Sequence, residues 1–315
     1  MELLNVGRDG SGWSEDRLHR WLATLDWPVG LAGSRGHDAA VLDRSDQLAA
    51  ICTDQCIEGV HVPPDAPGDV VGRKAVLRTL SDLAATAARA RAVTLAVRAP
   101  AERDEDWLRA AITAAREAAV AHGAELVAGD LAAGPGPASI VVAALGEVDA
   151  TRAPVGRDRA RPGQRVVVTG PLGGSLAGGR QLRPVPRFDA AATLAEAGAT
   201  AMMDVSDGLA LDLFRIARSS NVRIVIQEDH VPIHADADLA AGESGRTALD
   251  HALHDGEDHE LVATLAGEVP GGCIDLGRVE EGEGLALLGP AGSREWRPDR
   301  GGWTHGGAQG DATPG

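Results

Sequence analysis

The chain has 315 residues, with 46 acidic side chains against 30 basic ones and a formal net charge of -16; Lys74 is its only lysine. Lys74 follows Arg73 and is not preceded by glycine, so a Walker A phosphate loop is excluded, and so acid a chain lacks the basic stripe of a nucleic-acid binder. With 44% hydrophobic and 24% charged residues it is a globular chain rather than a disordered acidic polymer.

Six Trp, two Phe and no Tyr leave the core to Ala, Val, Leu and Ile. The length allows one large domain or two medium ones. The start, MELLNVGRDG, carries no basic leader pattern, and no segment reaches the apolar length of a bilayer span. Cys52, Cys56 and Cys273 are odd in number, which argues against a disulfide framework; Cys52 and Cys56 read as half-buried strand thiols. A cytoplasmic protein that binds neither membrane nor nucleic acid is expected.

In chain order, Leu48–Asp54 reads as a strand ending in Thr53 and Asp54. A helix follows from about Gly72 to Arg89, with the stripe Val76, Leu80, Leu83, Ala84, Ala87. Ala92–Val97 is strand-like. The next helix runs from near Glu102 to His122 and stops at Gly123. A strand at Glu125–Ala128, turn-rich residues 132–137 and a strand at Ser139–Leu145 complete an α+β layer with helices on one sheet face. Residues 149–164 are rich in Arg, Pro and Gly and divide the chain into domains 1–148 and 149–302, the second an α/β sandwich. Within it come a strand at Arg165–Thr169, the glycine-rich GPLGGSLAGG, and a helix with the stripe Leu209, Leu213, Ile216, Ala217 capped by Ser206 or Asp207. A strand at Val222–Ile226 follows, and 303–315 is expected to be a mobile tail.

The acids fall at suggestive places. Asp38 lies in GHDAAV, Asp54 ends ICTD, Asp82 sits in TLSDLAA, Asp130 closes VAGD, and Asp204 and Asp207 flank Ser206 in MDVSDG. Buried unpaired, such charges cost several kcal/mol each, and hard oxygen ligands suit Mg2+. Each acid also has an ordinary structural role open to it. Asp82 can pair with Arg78, Asp207 can cap a helix, and Asp130 can serve a turn. His61 can be a solvated loop histidine, and Arg157 one of the surface arginines of its linker. GPLGGSLAGG either cradles phosphate or packs tightly after its strand.

Taken in order, GHDAAVL, TDQCIEGVHV, KAVLRTLSDLAATAARA, LVAGDL, GEVDATRAPVGRDRARPGQRVVVTGPLG, RPVPRF, MDVSDGLALDL and DGEDHEL resemble the thiamine-monophosphate kinases. These belong to the ATP-using superfamily of aminoimidazole-ribonucleotide synthetase. The resemblance runs from about Gly36 to Trp303. It implies a homodimer whose N-terminal sheets close a barrel, and transfer of the γ-phosphoryl group of ATP to thiamine monophosphate. It makes Asp38, Thr53, Asp54, Asp82, Asp130, Asp204 and Asp207 magnesium-binding, with Asp130 and Asp207 central to catalysis. Gly129, Asp130, Arg157 and Ser206 would contact ATP; His61, Glu257 and Trp303 would contact the acceptor, although Asp255, Asp258 and Glu260 crowd Glu257. Departures from the family pattern are His37, Cys52, Val62, Thr79 and Leu131. They keep open a paralogous ATP-using enzyme with another small acceptor, or a non-catalytic dimeric nucleotide-binding protein.

Overall fold

The computed structural model describes residues 39–43 and 48–303. Asp38 and His37, and residues 304–315 of the expected tail, lie outside the described residues.

The first layer is a five-stranded sheet. Its strands are β1 (Ala40–Asp43), β2 (Leu48–Ile57), β3 (Arg89–Ala99), β4 (Glu125–Ala133) and β5 (Ser139–Val148), in the order β1-β2-β5-β3-β4. Only the β3–β4 pairing is parallel. Helices α1 (Gly68–Ala85) and α2 (Glu105–Ala121) cover one face, as the spacing predicts. Alternating Ala50, Cys52 and Cys56, then Val93, Leu95 and Val97, then Ile140, Val142 and Ala144 supply the covered side. Gly68 and Gly72 let the two helices touch: a Cβ on Gly72 would stand 2.0 Å from the carbonyl oxygen of Ala111. Each glycine costs about 1 kcal/mol of helix propensity, which the close packing offsets.

Three of the boundaries that differ from the sequence reading matter most. Helix α1 ends at Ala85, because Ala87 turns to φ 54° and Arg89 already begins β3. Strand β2 continues to Ile57, pairing with β5 throughout, so Asp54 is mid-strand. Strand β4 likewise runs to Ala133 along β3, which places Asp130 inside a strand rather than at its end. Cys52 and Cys56 are fully buried rather than half-buried, and burial pushes the Cys56 thiol up to about 11, as suits an inert core thiol.

The second layer is a seven-stranded sheet: β6 (Arg165–Val168), β7 (Ala201–Asp204), β8 (Arg223–Gln227), β9 (Leu261–Leu265), β10 (Ile274–Glu280), β11 (Gly284–Gly289) and β12 (Gly292–Trp296). The order is β12-β11-β8-β10-β6-β9-β7. Around it lie α3 (Phe188–Glu196), α4 (Leu209–Ser220), α5 (Ala235–Ser244) and α6 (Ala248–His254). Leu209, Leu213, Ile216 and Ala217 of α4 are all buried, as their spacing requires. The layers share a third apolar cluster, in which Ala84 and Ala85 of α1 meet Val167, Leu194, Met202 and Leu261. Helix α1 is therefore the seam: one side lies on the first sheet, and its C-terminal half reaches β7. Among the described residues no helix is long and apolar enough to cross a membrane.

Candidate active site at the seam

Every residue of β7 is buried, and the strand carries the Asp204 carboxylate to its C-terminal end. Asp204 Oδ2 accepts from Ser81 Oγ of α1 at 2.6 Å and meets His259 Nδ1 at 3.0 Å. Asp204 Oδ1 is buried and without a hydrogen-bond partner. Burial alone would raise this carboxyl, but the bonds from His259 and Ser81 and the nearby Arg157 guanidinium hold it below its usual range. Arg157 is thus no remote linker arginine: it is half-buried, and the adjoining Gly156 is bridged to β7.

After β7 the chain turns through Ser206 and Asp207 into α4. The expected side-chain cap is absent, because Gly208, at φ 110°, occupies the cap position. Asp212, one turn into the helix, instead reaches back. Its Oδ2 accepts from the backbone N–H groups of Ser206 and Asp207, both at 3.1 Å. Arg215 donates to Asp212 Oδ1 at 2.8 Å and also to Asp207.

The segment Gly256–His259 closes over this loop with left-handed backbone at Gly256 (φ 74°), Glu257 (φ 55°) and His259 (φ 53°). A non-glycine residue there costs about 1–3 kcal/mol, and such strain concentrates at functional sites. Glu257 N–H donates to the Ser206 carbonyl at 2.8 Å, and Ser175 Oγ donates to the Glu257 carbonyl at 2.8 Å. The Glu257 carboxylate lies 2.9 Å from Lys74 Nζ and 3.5 Å from His259 Nε2. Burial opposes its charge, but His259 and Lys74 outweigh it and hold the carboxyl far below the usual range. Of the crowded acids, Glu257 is therefore the one facing α1. Asp255 and Asp258 face the glycine-rich loop, accepting from the amides of Gly174 (3.1 Å) and Gly173 (2.9 Å). Those amides are occupied, so the loop packs rather than cradling phosphate.

His61 is half-buried, not a solvated loop side chain. Its Nδ1 accepts from Ile57 N–H at 3.0 Å, and its carbonyl accepts from Lys74 Nζ at 2.6 Å. Asp54 pairs with Arg78 at 2.6 Å on the α1 side of the sheet. Arg78 carries a second buried nitrogen, Nη1, without a hydrogen-bond partner. Asp82 is half-buried one residue after Ser81. Trp303 is 42% exposed, and its N–H donates to the Asp207 carbonyl at 3.0 Å.

The structure thus gathers Ser81, Asp82, Asp204, Ser206, Asp207, Glu257, His61, Arg157 and Trp303 along one seam, with Asp54 joined through Arg78. Thr53, Gly129 and Asp130 stand elsewhere on the first sheet. Thr53 is exposed and donates to the Val142 carbonyl at 3.0 Å; Asp130 is exposed on the edge strand, in register with the exposed Ala96. Among the described residues no three acidic, His or Cys side chains are grouped as a ready metal cage. Mg2+ commonly takes only one or two carboxylates and completes its shell with water and phosphate oxygens, so the buried, unpaired Asp204 Oδ1 fits such an ion. Sequence reasoning missed Lys74, Arg78, Ser81, Asp212 and His259; only Lys74, a lone lysine amid an apolar helix, gave a signal.

His259 makes stability depend on pH. Burial disfavours its charge, yet its bonds to Asp204 and Glu257 carry the imidazole up to about 9. A raised folded value means that the stabilisation is complete below about pH 6.5 and is lost as pH climbs through about 9. Thermal melts of the metal-free protein are expected to lose roughly 3 kcal/mol over that window, and His259→Phe to flatten the dependence.

The family model of the AIR synthase related protein N-terminal domain matches residues 36–148. The chain is 36% identical over 271 residues to a thiamine-monophosphate kinase of Mycobacterium tuberculosis, covering 80% of each protein. It is 36% identical over 303 residues to that of Halobacterium salinarum, covering 90% of this chain and 99% of the relative. The solved structure of AaThiL complexed with AMPPCP and TMP superposes with a TM-score of 0.83 at 28% identity, covering 93% of this chain and 97% of that one. With an identity above three in ten to proteins whose length it largely spans, the chain belongs to the thiamine-monophosphate kinase family.

Proposed function

We propose that this chain is an ATP- and Mg2+-dependent kinase that transfers the γ-phosphoryl group of ATP to thiamine monophosphate, giving thiamine diphosphate. The observation that supports the reading is the backbone bond from Glu257 to Ser206, which joins residues expected to serve the acceptor and the nucleotide. A relative of the same fold holds AMPPCP and TMP together. The chain divides into domains 1–148 and 149–302, with the substrates between them, and works in the cytoplasm.

The acceptor is already an anion at neutral pH, so the chain needs no general base. What it must supply is alignment of two polyanions and relief of their repulsion. Arg157, beside Asp204, would give phosphate a bidentate guanidinium contact, and Ser206 and Gly129 would approach the nucleotide. Glu257, kept ionised by His259 and Lys74, is complementary to the cationic thiazolium of the acceptor, and the half-exposed Trp303 offers a face for a flat ring. Asp204, with Asp82 and Asp207 along the seam, would hold Mg2+, which neutralises charge on the transferring phosphoryl group when bound; Thr53 and Asp130, exposed elsewhere on the first sheet, stand apart from that set.

Mg2+-dependent ADP formation with and without thiamine monophosphate tests this directly. ADP formed only with another small acceptor favours a paralogous enzyme. Nucleotide-dependent heat protection without turnover favours a non-catalytic binder.

The same reading includes a homodimer. The face of the first sheet opposite its helices exposes Ile51 (43%), Val141 (37%) and Leu145 (42%), with Ile51 and Leu145 directly cross-paired. An apolar sheet face of this kind is a protein contact surface in a stable fold, and a second copy would cover it. Light scattering is expected to give a dimer, and Leu145→Arg a monomer; a monomeric wild-type chain at micromolar concentration removes the dimer.

A further inference from the structure

Lys74 lies on α1 with 1% of its surface exposed, the most unusual burial in the first layer. An ammonium group has three N–H donors and no acceptor. Lys74 Nζ donates to the His61 carbonyl at 2.6 Å and to Gln181 Oε1 at 2.5 Å, and forms an ion pair with Glu257 Oε2 at 2.9 Å. With two donors committed, its charge paired with Glu257 and its surface closed to 1%, it is not available to touch a phosphate. Its role has to be exerted through the groups it holds.

Those groups sit on different parts of the chain. His61 ends the turn after β2, where Ile57 N–H and Lys74 Nζ fix its ring and its carbonyl separately. Glu257 belongs to the strained segment of the second layer, tied by its own backbone to Ser206 and Ser175. One buried ammonium therefore sets the separation of two side chains that come from opposite sides of the seam.

We propose that Lys74 is a positioning residue of the acceptor site, spacing His61 against Glu257 so that both meet thiamine monophosphate. This rests on the functional reading above. A neutral side chain of similar length would leave the His61 carbonyl buried without its donor and free Glu257 to swing toward His259 alone, while the Asp204 and Ser206 loop keeps its own bonds. The loss falls on the acceptor side.

Steady-state kinetics of Lys74→Met is the test. The expected result is a KM for thiamine monophosphate raised at least about tenfold, with the KM for ATP within about threefold of wild type. Gln181→Leu, which removes the one partner outside the acceptor site, is expected to lower Tm while leaving the acceptor KM within about threefold. Both KM values moving together in Lys74→Met, or neither moving, overturns the proposal, as does an equal rise of acceptor KM in Gln181→Leu. Should Lys74→Met not fold, Lys74→Arg carries the test, because a planar guanidinium keeps a cation but cannot direct three donors from one point. The acceptor KM should again rise alone, and an unchanged value overturns the assignment. A wild-type protein without turnover of thiamine monophosphate sinks the functional reading and the proposal with it. A wild-type protein that turns over while its Lys74 variants show no split sinks the proposal only.

Discussion

Asparagine in place of Asp204 is expected to lower kcat/KM for phosphoryl transfer by about a thousandfold, roughly 4 kcal/mol of transition-state stabilisation, while the protein stays folded. The substitution is nearly isosteric, and the site is 1% exposed, so packing along β7 is preserved. What changes is charge and donor pattern. Asp204 Oδ2 now receives Ser81 and His259, and Oδ1 is left buried without a hydrogen-bond partner. An amide has one acceptor oxygen, so it keeps those two donors only by turning its NH2 toward the free position, where a cation would have been held. A Mg2+ titration of activity should therefore shift to higher concentration along with the loss in rate. His259 loses one of the two carboxylates that keep it charged, so the pH dependence of the melting temperature should weaken in the same variant. Wild-type kcat/KM in Asp204→Asn would remove Asp204 from the site.

The layers of the fold were legible because their signals are periodic. The stripe of α4 repeats often enough to identify the helix without its partners, and β5 reads as a strand from its apolar run of branched residues. Boundaries were less so. Asp54 and Asp130 read as strand ends because a carboxylate interrupts an apolar run, yet cross-strand pairing with β5 and β3 carries both strands three residues further. The sites were legible as a set of acids, and the error lay in their partners. Counting one lysine suggested that metal ions had to neutralise the seam, whereas Arg78 takes Asp54, and Arg215 takes Asp207 and Asp212. The Asp54 and Asp207 pairings join residues 24 and 8 positions apart, and nothing local announces them; Arg215 and Asp212, three apart on α4, are the one local pair. Asp204 keeps the argument for a cation only through its buried Oδ1, since Oδ2 already meets His259 and Ser81. Lys74 stood out only as the lone lysine and His259 not at all, because their roles depend on α1 and the segment after α6 meeting across the seam.

The second large effect concerns Asp212, whose side chain is fully buried and is not itself an expected substrate contact, but which holds the loop of Ser206 and Asp207. Asp212→Ala is expected to cost about 3–5 kcal/mol, seen as a fall of about 10 °C in the melting temperature. The loss has three parts. The amides of Ser206 and Asp207 lose their acceptor at 3.1 Å, each leaving a donor unsatisfied at about 1–3 kcal/mol unless the loop moves. Arg215 keeps Asp207 but loses its second carboxylate. Burial pushes the Asp212 carboxyl up to about 7, so near neutral pH the first turn of α4 loses only part of a negative charge favourable to the helix dipole. Because the loop can relieve its stranded amides only by reorienting, activity should fall with stability, at least about a hundredfold in kcat/KM for ATP. Asp212→Asn separates the two effects. Its carbonyl oxygen still accepts both amides, so most of the stability should return, while its neutral NH2 meets Arg215 and leaves that guanidinium to pull on Asp207 alone. An intermediate melting temperature with a raised KM for ATP is the expected signature. An alanine variant that melts with the wild type would show that the loop holds its shape without Asp212.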